Sequence, residues 1–185
     1  MVRVLISPVN AAEAVIAAHE GADIVDIKNI DERSLGASFP WVIRETSRDV
    51  TVVTAGYADH ARFGGLTPRM LVTIAADSGS DLVMLDTLIK DGTTLFDALT
   101  TDTLGEFVAE AHTAGLQTAL AGSVRAEHLP VLAATGVDMV GICGAVCGDN
   151  DCSTGIQPTK VEAFITRARQ LSDPNGPGGD GTRLS

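Results

Sequence analysis

Six short runs of apolar, largely β-branched residues alternate along this chain with six longer amphipathic segments, and that alternation admits few folds. The runs cover residues 2–7, 23–27, 51–55, 81–85, 117–121 and 138–142 and are nearly continuously apolar, as parallel strands covered on both faces must be. The spacing predicts helices over 11–19, 40–47, 68–77, 103–114, 126–134 and 158–171. Asn10 can cap the first of them, and Pro68 stands in the opening turn of the third. A joint of helix, glycine, one residue, aspartate and strand recurs at Gly21, Gly79 and Gly136, where a left-handed glycine ends the helix. Repetition of this kind is the mark of successive βα units, so the expected fold is α/β, a TIM-barrel-like parallel (βα) barrel of about six units. Residues 1–171 form the barrel domain, and residues 172–185, rich in proline and glycine and poor in apolar side chains, read as a disordered tail.

An excess of 24 acidic over 13 basic residues, for a net charge of −11, works against nucleic acid or an anionic membrane as partner. A small diffusible substrate fits better. An anionic one must be held locally, by the few basic groups and by helix N-termini. No stretch approaches the roughly 18 apolar residues of a membrane helix, and the N-terminus opens directly as a strand, so the expected location is cytoplasmic. Cys143, Cys147 and Cys152 are odd in number and clustered late, a poor disulfide framework, and reduced thiols suit that compartment. They also lack a fourth ligand at a standard interval, so neither a metal nor another cofactor is expected.

The chain holds three lysines, Lys28, Lys90 and Lys160. Two of them follow a strand and an aspartate: Asp26 precedes Lys28 by two residues, and Asp86 precedes Lys90 by four. Residues two apart on a strand share a face, so Asp26 and Lys28 both point into the mouth of the barrel. A structural ion pair at a strand end explains such a pair equally simply. The functional alternative is a lysine whose pKa is depressed by burial and whose amine attacks a carbonyl, with the carboxylate moving protons. Both pairs fall at C-terminal strand ends, the face on which barrels of this architecture carry their active sites. After the last two strands, Gly122–Ser123 and Gly144–Ala145 lie where such barrels bind phosphate through backbone N–H groups; tight βα turns are the alternative reading of these glycines.

The motifs S-P-V-N, A-D-I-V-D-I-K-N, S-L-G-A-S-F-P-W, A-G-Y-A-D, M-L-D-T-L-I-K-D-G-T-T-L-F-D, L-A-G-S and V-G-I-C-G-A-V-C together resemble the (5-formylfuran-3-yl)methyl phosphate synthase family of methanofuran biosynthesis. The resemblance spans about residues 5–171. It implies a cofactor-free barrel lyase that joins two glyceraldehyde 3-phosphate molecules, eliminates water and one phosphate, and closes a furan ring. It also implies that Lys28 forms the Schiff base beside Asp26, and that Asp86 and Lys90 match the family's second pair. Two departures stand out. The family carries about fifty further residues, two βα units' worth, between the F-P-W helix and the A-G-Y-A-D strand, including a lysine that serves as proton acceptor; and it tends to have arginine at the position of Cys143.

Two other readings remain open. One is a class I aldolase-like enzyme acting on another phosphorylated carbonyl. The other is a non-catalytic barrel subunit that has lost the proton-acceptor lysine. Six strands close less easily at the geometry of eight, so a homo-oligomer that covers the edges of the Ala55 and Ile27 strands is expected.

Overall fold

The computed structural model describes residues 3–6, 16–17, 19–22, 24–25, 53–77 and 79–172. Six strands, β1 (Arg3–Ile6), β2 (Ile24–Val25), β3 (Val53–Tyr57), β4 (Leu82–Asp86), β5 (Gln117–Leu120) and β6 (Met139–Ile142), form one parallel sheet in the order β2-β1-β6-β5-β4-β3. From β3 to β6 each strand adds on the same side of its predecessor. The sheet then returns to the start of the chain: β1 pairs with β6 through Val4↔Val140 and Leu5↔Gly141, and β2 pairs with β1 through Leu5↔Ile24. A doubly wound open sheet reverses direction at its first strand. There is no reversal here, and the winding is that of a (βα) barrel with its seam between β2 and β3. Among the described residues no pairing joins those two strands, and the helix expected over 40–47, like Asp26, Lys28 and residues 173–185 of the expected tail, lies outside them, while Ser172, expected to open that tail, closes the last helix instead.

Residues 16, 17 and 19 are helical, within the first expected helix, and five α-helices are described over their full range: α1 (Pro68–Asp77), α2 (Leu95–Ala98), α3 (Thr101–Thr113), α4 (Leu129–Ala134) and α5 (Pro158–Ser172). Helix α1 begins where Thr67 Oγ1 accepts the Met70 N–H at 3.3 Å and buries Leu71, Val72 and Ala75. In α3 the Thr100 hydroxyl accepts the Thr103 N–H. Its apolar residues Leu104, Phe107, Val108 and Ala111 recur at the helical period and are all buried. Truncating a side chain of this kind, such as Phe107→Ala, costs about 3–5 kcal/mol. Helix α5 buries Val161, Phe164, Ile165 and Ala168 in the same way. The repeated joint takes its expected form, with Gly21, Gly79 and Gly136 at φ of 88°, 70° and 78°; only glycine adopts that region without strain.

The strands carry two faces. Val83, Leu85, Leu120, Val140 and Ile142 pack outward with the helices in the main core. Leu82, Met84, Ala119, Ala121 and Met139, with Ala55, form a separate inner cluster. Gly141 adds to it: a Cβ there would stand 3.0 Å from that of Ala121. The inner face is thus floored largely by alanine and glycine, side chains that occupy little interior volume.

Two segments differ from the sequence-based expectation. Residues 126–134 do not form one helix; a 3-10 turn at Ala126–His128 precedes α4. Pro130 has no N–H to offer the Ala126 carbonyl four residues back, and Leu129 N–H bonds that carbonyl instead, in the tighter pattern. The short helix α2 was not expected. Its signal is the pair Thr94 and Asp97, which form a reciprocal capping box.

Candidate active site

Strand β4 delivers Asp86 to the C-terminal end of the sheet. Asp86 has the parity of Leu82 and Met84 and so belongs to the inner face. Its side chain is 4% exposed. Oδ1 accepts two hydrogen bonds, from the Thr87 N–H at 2.7 Å and from the Lys90 ammonium at 3.1 Å. Lys90 Nζ also donates to Thr87 Oγ1 at 3.1 Å. The lysine side chain itself remains half exposed. A buried carboxylate, a buried hydroxyl and an amine open to solvent therefore meet at one strand end. That group of atoms can exchange protons with, or attack, a carbonyl compound entering from outside.

The loop that carries Lys90 is held from the neighbouring strand end. Asp59, 3% exposed, accepts the Leu88 N–H at 2.8 Å and the Ile89 N–H at 2.9 Å, one on each carboxylate oxygen. The Ala58 N–H bonds the Asp86 carbonyl at 2.7 Å. Farther out, Arg62 pairs with Asp91 at 2.7 Å. The Arg62 guanidinium, helped by the Thr93 hydroxyl and N–H, holds the Asp91 carboxyl well below the ordinary carboxylate range. Tyr57 lies in register with Asp86 on the adjacent strand, and Phe63 meets its ring edge-on with centroids 5.8 Å apart. His60 sits in the same turn, with Nδ1 3.1 Å from the Ala58 carbonyl oxygen.

Neither Asp59 nor Tyr57 was singled out from the sequence, although both fall in A-G-Y-A-D. The signal for Asp59 was its place just past a strand end, in the position from which a carboxylate can receive consecutive N–H groups of the next loop. Of the expected pairs, Asp86 and Lys90 are brought together, while Asp26 and Lys28 lie outside the described residues.

Gly122, at φ 112°, packs directly against this group: a Cβ there would stand 2.8 Å from Thr87 Cγ2 and 3.1 Å from Thr87 N. Its carbonyl accepts the Leu95 N–H, which ties the turn after β5 to α2. Ser123 follows in the left-handed region at φ 50° and is exposed. At the end of β6, Gly144 opens a 3-10 turn with Ala145 and Val146, and a Cβ on it would come within 2.6 Å of the Asn150 carbonyl oxygen. Both glycines thus serve close chain packing, and both turns share the end of the sheet that bears Asp86 and Lys90.

The cysteines require a correction. Three reduced thiols were expected, whereas Cys143 and Cys152 are joined in a disulfide. The reason is the course of the chain between them: three 3-10 turns in succession, with Asp149 and Asn150 in the left-handed region, fold the loop back on itself. The linear spacing of the cysteines carries no sign of this. No described helix is long and apolar enough to cross a membrane.

The chain resembles two solved structures in fold. It aligns with phosphoribosyl anthranilate isomerase from Thermus thermophilus at a TM-score of 0.55 and 17% identity, over 91% of this chain and 99% of that one. With thiamine phosphate pyrophosphorylase from Bacteroides thetaiotaomicron the TM-score is 0.55 at 13% identity, over 94% and 98%. At the level of sequence, relatives described as (5-formylfuran-3-yl)methyl phosphate synthase are much nearer. That of Methanothermobacter thermautotrophicus is 38% identical over 82% of this chain and 92% of its own length. That of Methanococcus maripaludis strain C5 is 35% identical over 87% and 97%. The latter alignment runs over 228 positions, more than this chain's 185 residues, so dozens of family positions have no counterpart here. The model of the 4-HFC-P synthase family matches in two pieces, residues 4–51 and 44–165, whose junction falls between β2 and β3. With the family's pattern covering nearly all of the barrel and relatives of this identity over most of its length, the chain belongs to the 4-HFC-P synthase family.

Proposed function

We propose that the protein is a furan-phosphate synthase. It condenses two molecules of glyceraldehyde 3-phosphate, releases water and inorganic phosphate, and leaves (5-formylfuran-3-yl)methyl phosphate, with no cofactor. Membership of the family, whose members carry that product in their name, supports the reaction. The single observation in favour of amine and carboxylate chemistry is the Lys90 ammonium held 3.1 Å from a buried Asp86 at the C-terminal end of β4.

In this reading Lys28 forms an imine with the first triose phosphate. The protonated imine draws electrons from the adjacent carbon, so a proton leaves and an enamine forms that adds to the aldehyde of the second molecule. Asp26 and Asp86 take and return protons, and Lys90 stabilises developing negative charge or acts as the second amine. The N–H groups of the Gly122–Ser123 and Gly144–Ala145 turns hold the phosphates. A homo-oligomer in the cytoplasm completes the proposal. Apolar side chains on the β3 flank, among them Val53, Phe63, Leu66, Met70 and Ile74, are each more than 40% exposed and support association there. Monomeric sedimentation at micromolar concentration would argue against it.

Incubation with glyceraldehyde 3-phosphate and borohydride, followed by peptide mass analysis and product detection, tests the chemistry. A reduced adduct on Lys28 or Lys90 together with furan product is the expected result. An adduct without furan points to an aldolase-like reaction on another phosphorylated carbonyl. If neither appears, the barrel is a non-catalytic subunit, a reading that the absence of the family's proton-acceptor lysine favours.

A further inference from the structure

All three cysteines of the chain lie in one loop after β6, and their sulfur atoms are within 4.8 Å of one another. A disulfide accounts for two of them, Cys143 and Cys152. The third, Cys147, is 1% exposed, and its Sγ–H donates to the Cys143 carbonyl at 3.3 Å. A buried thiol turned toward a disulfide is more than the bridge requires. Two sulfurs bound to one tetrahedral zinc stand roughly 3.8 Å apart, given Zn–S bonds of about 2.3 Å, so only small side-chain movements separate this cluster from a ligand set.

The loop is built to hold it. Thr154 Oγ1 donates to the Gly148 carbonyl at 2.6 Å, and Asp151 Oδ1 accepts the Ser153 N–H at 2.9 Å. Cys147 and Ile156 form an antiparallel bridge, and Gly148 is packed so closely that a Cβ would lie 2.7 Å from Thr154 Oγ1. Lys160 Nζ donates to the Cys147 carbonyl at 2.6 Å. That ammonium lies one residue's backbone away from the sulfurs and opposes the net negative charge of three thiolates around a dication.

We propose that the reduced loop binds one thiophilic d10 cation, zinc or its analogue cadmium, through the thiolates of Cys143, Cys147 and Cys152. The Cys143–Cys152 disulfide is the metal-free, oxidised form of the same site. A dithiol opens the bridge by giving two electrons and two protons and becoming a disulfide itself; a phosphine gives the two electrons and becomes the phosphine oxide, with water supplying the oxygen and the two protons. Three thiols then lose three protons as the cation binds, leaving its fourth position to water or another small donor. This site is independent of the furan reading.

The test uses the full chain, reduced with a phosphine and freed of metal, and titrated with cadmium and with zinc. Cadmium should produce sulfur-to-metal absorption in the near ultraviolet that saturates at one equivalent, with close to three protons released per ion. Because the chain contains no other cysteine, that absorption reports on this loop alone. Protein left oxidised should show none. Cys147→Ser should weaken binding at least tenfold, with circular dichroism checking that the variant is folded. Absence of a stoichiometric band in the reduced protein overturns the proposal, as does unchanged affinity in folded Cys147→Ser. Should that variant fail to fold, the proton count on the unmutated chain decides: three uphold the site and two or fewer overturn it.

Discussion

The two ends of the parallel sheet each carry an aspartate paired with a cationic or titratable partner, and the two pairs are tied into the fold differently. At the N-terminal end, Asp138 Oδ2 accepts the Thr118 N–H, the Thr118 hydroxyl and His112 Nε2, each at 2.8 Å, and the Asp138 N–H returns a bond to Thr118 Oγ1. The network closes on itself and joins α3 to the strand ends of β5 and β6. At the C-terminal end, Asp86 is more deeply buried, but its partner Lys90 keeps half its surface in solvent. Accessibility of the partner does not separate the two pairs, since the His112 side chain is 42% exposed. Bonding does, because Asp138 Oδ2 already accepts three donors that tie β5 and α3 together, whereas Lys90 reaches Asp86 from a loop on the face where barrels carry their active sites. The contrast follows the general division of labour in (βα) barrels, with stability at the bottom face and reactivity at the top.

Substitutions that separate activity from stability break or sharpen that contrast. The largest effect is expected at the top. Lys90→Ala and Asp86→Asn should each lower the rate of furan-phosphate formation by about 10²–10⁴-fold, while the melting temperature of Lys90→Ala stays close to that of the parent. A Lys90→Ala variant that melts early but turns over normally once folded would make the pair structural. Asp138→Ala should do the reverse. It strands three donors at a loss of about 1–3 kcal/mol, seen as a melting temperature lower by roughly 2–4 °C for each kcal/mol, with turnover per folded molecule retained.

A smaller effect concerns acid. Burial raises the Asp138 carboxyl, but hydrogen bonds from His112 and Thr118 outweigh it and leave the group below the ordinary carboxylate value. A carboxyl lowered in the folded state contributes stability above its unfolded value of about 4 and loses it as pH falls through the folded value. The parent should therefore lose melting temperature below about pH 4 more steeply than Asp138→Asn does. Parallel curves in that window would remove Asp138 from the acid response. The smallest effect is expected at the solvent-exposed Arg62–Asp91 pair: Arg62→Ala should leave the melting temperature unchanged and register only as faster amide hydrogen exchange in residues 87–94.

Much of the architecture was legible because it rests on local rules that repeat. The strands and the helices α1, α3 and α5 follow from apolar period, caps and the glycine joint, and α1 was placed at its observed ends, Pro68 and Asp77. The break at Pro130 was legible in principle, since a proline four residues into a helix removes a bond at its start. The site was legible only as far as strand-end position implies proximity. Asp86 ends β4 and Lys90 follows four residues later in the next loop, and the two meet as expected. Asp59 reaches Leu88 and Ile89 from 29 and 30 residues away, a contact no local pattern encodes. Likewise, the approach of Cys143 to Cys152 depends on left-handed backbone at Asp149 and Asn150, positions that ordinary residues seldom occupy.

The strand order has a consequence for how such a barrel gains or loses parts. Every recorded pairing, β2 with β1, β1 with β6, and the run from β6 to β3, is independent of what stands between β2 and β3. The family's pattern is interrupted at that same junction. Among the described residues it is therefore the one junction at which whole βα units can be added or removed without separating strands that are already paired, so that the number of units in such a sheet is a modular quantity rather than a fixed one.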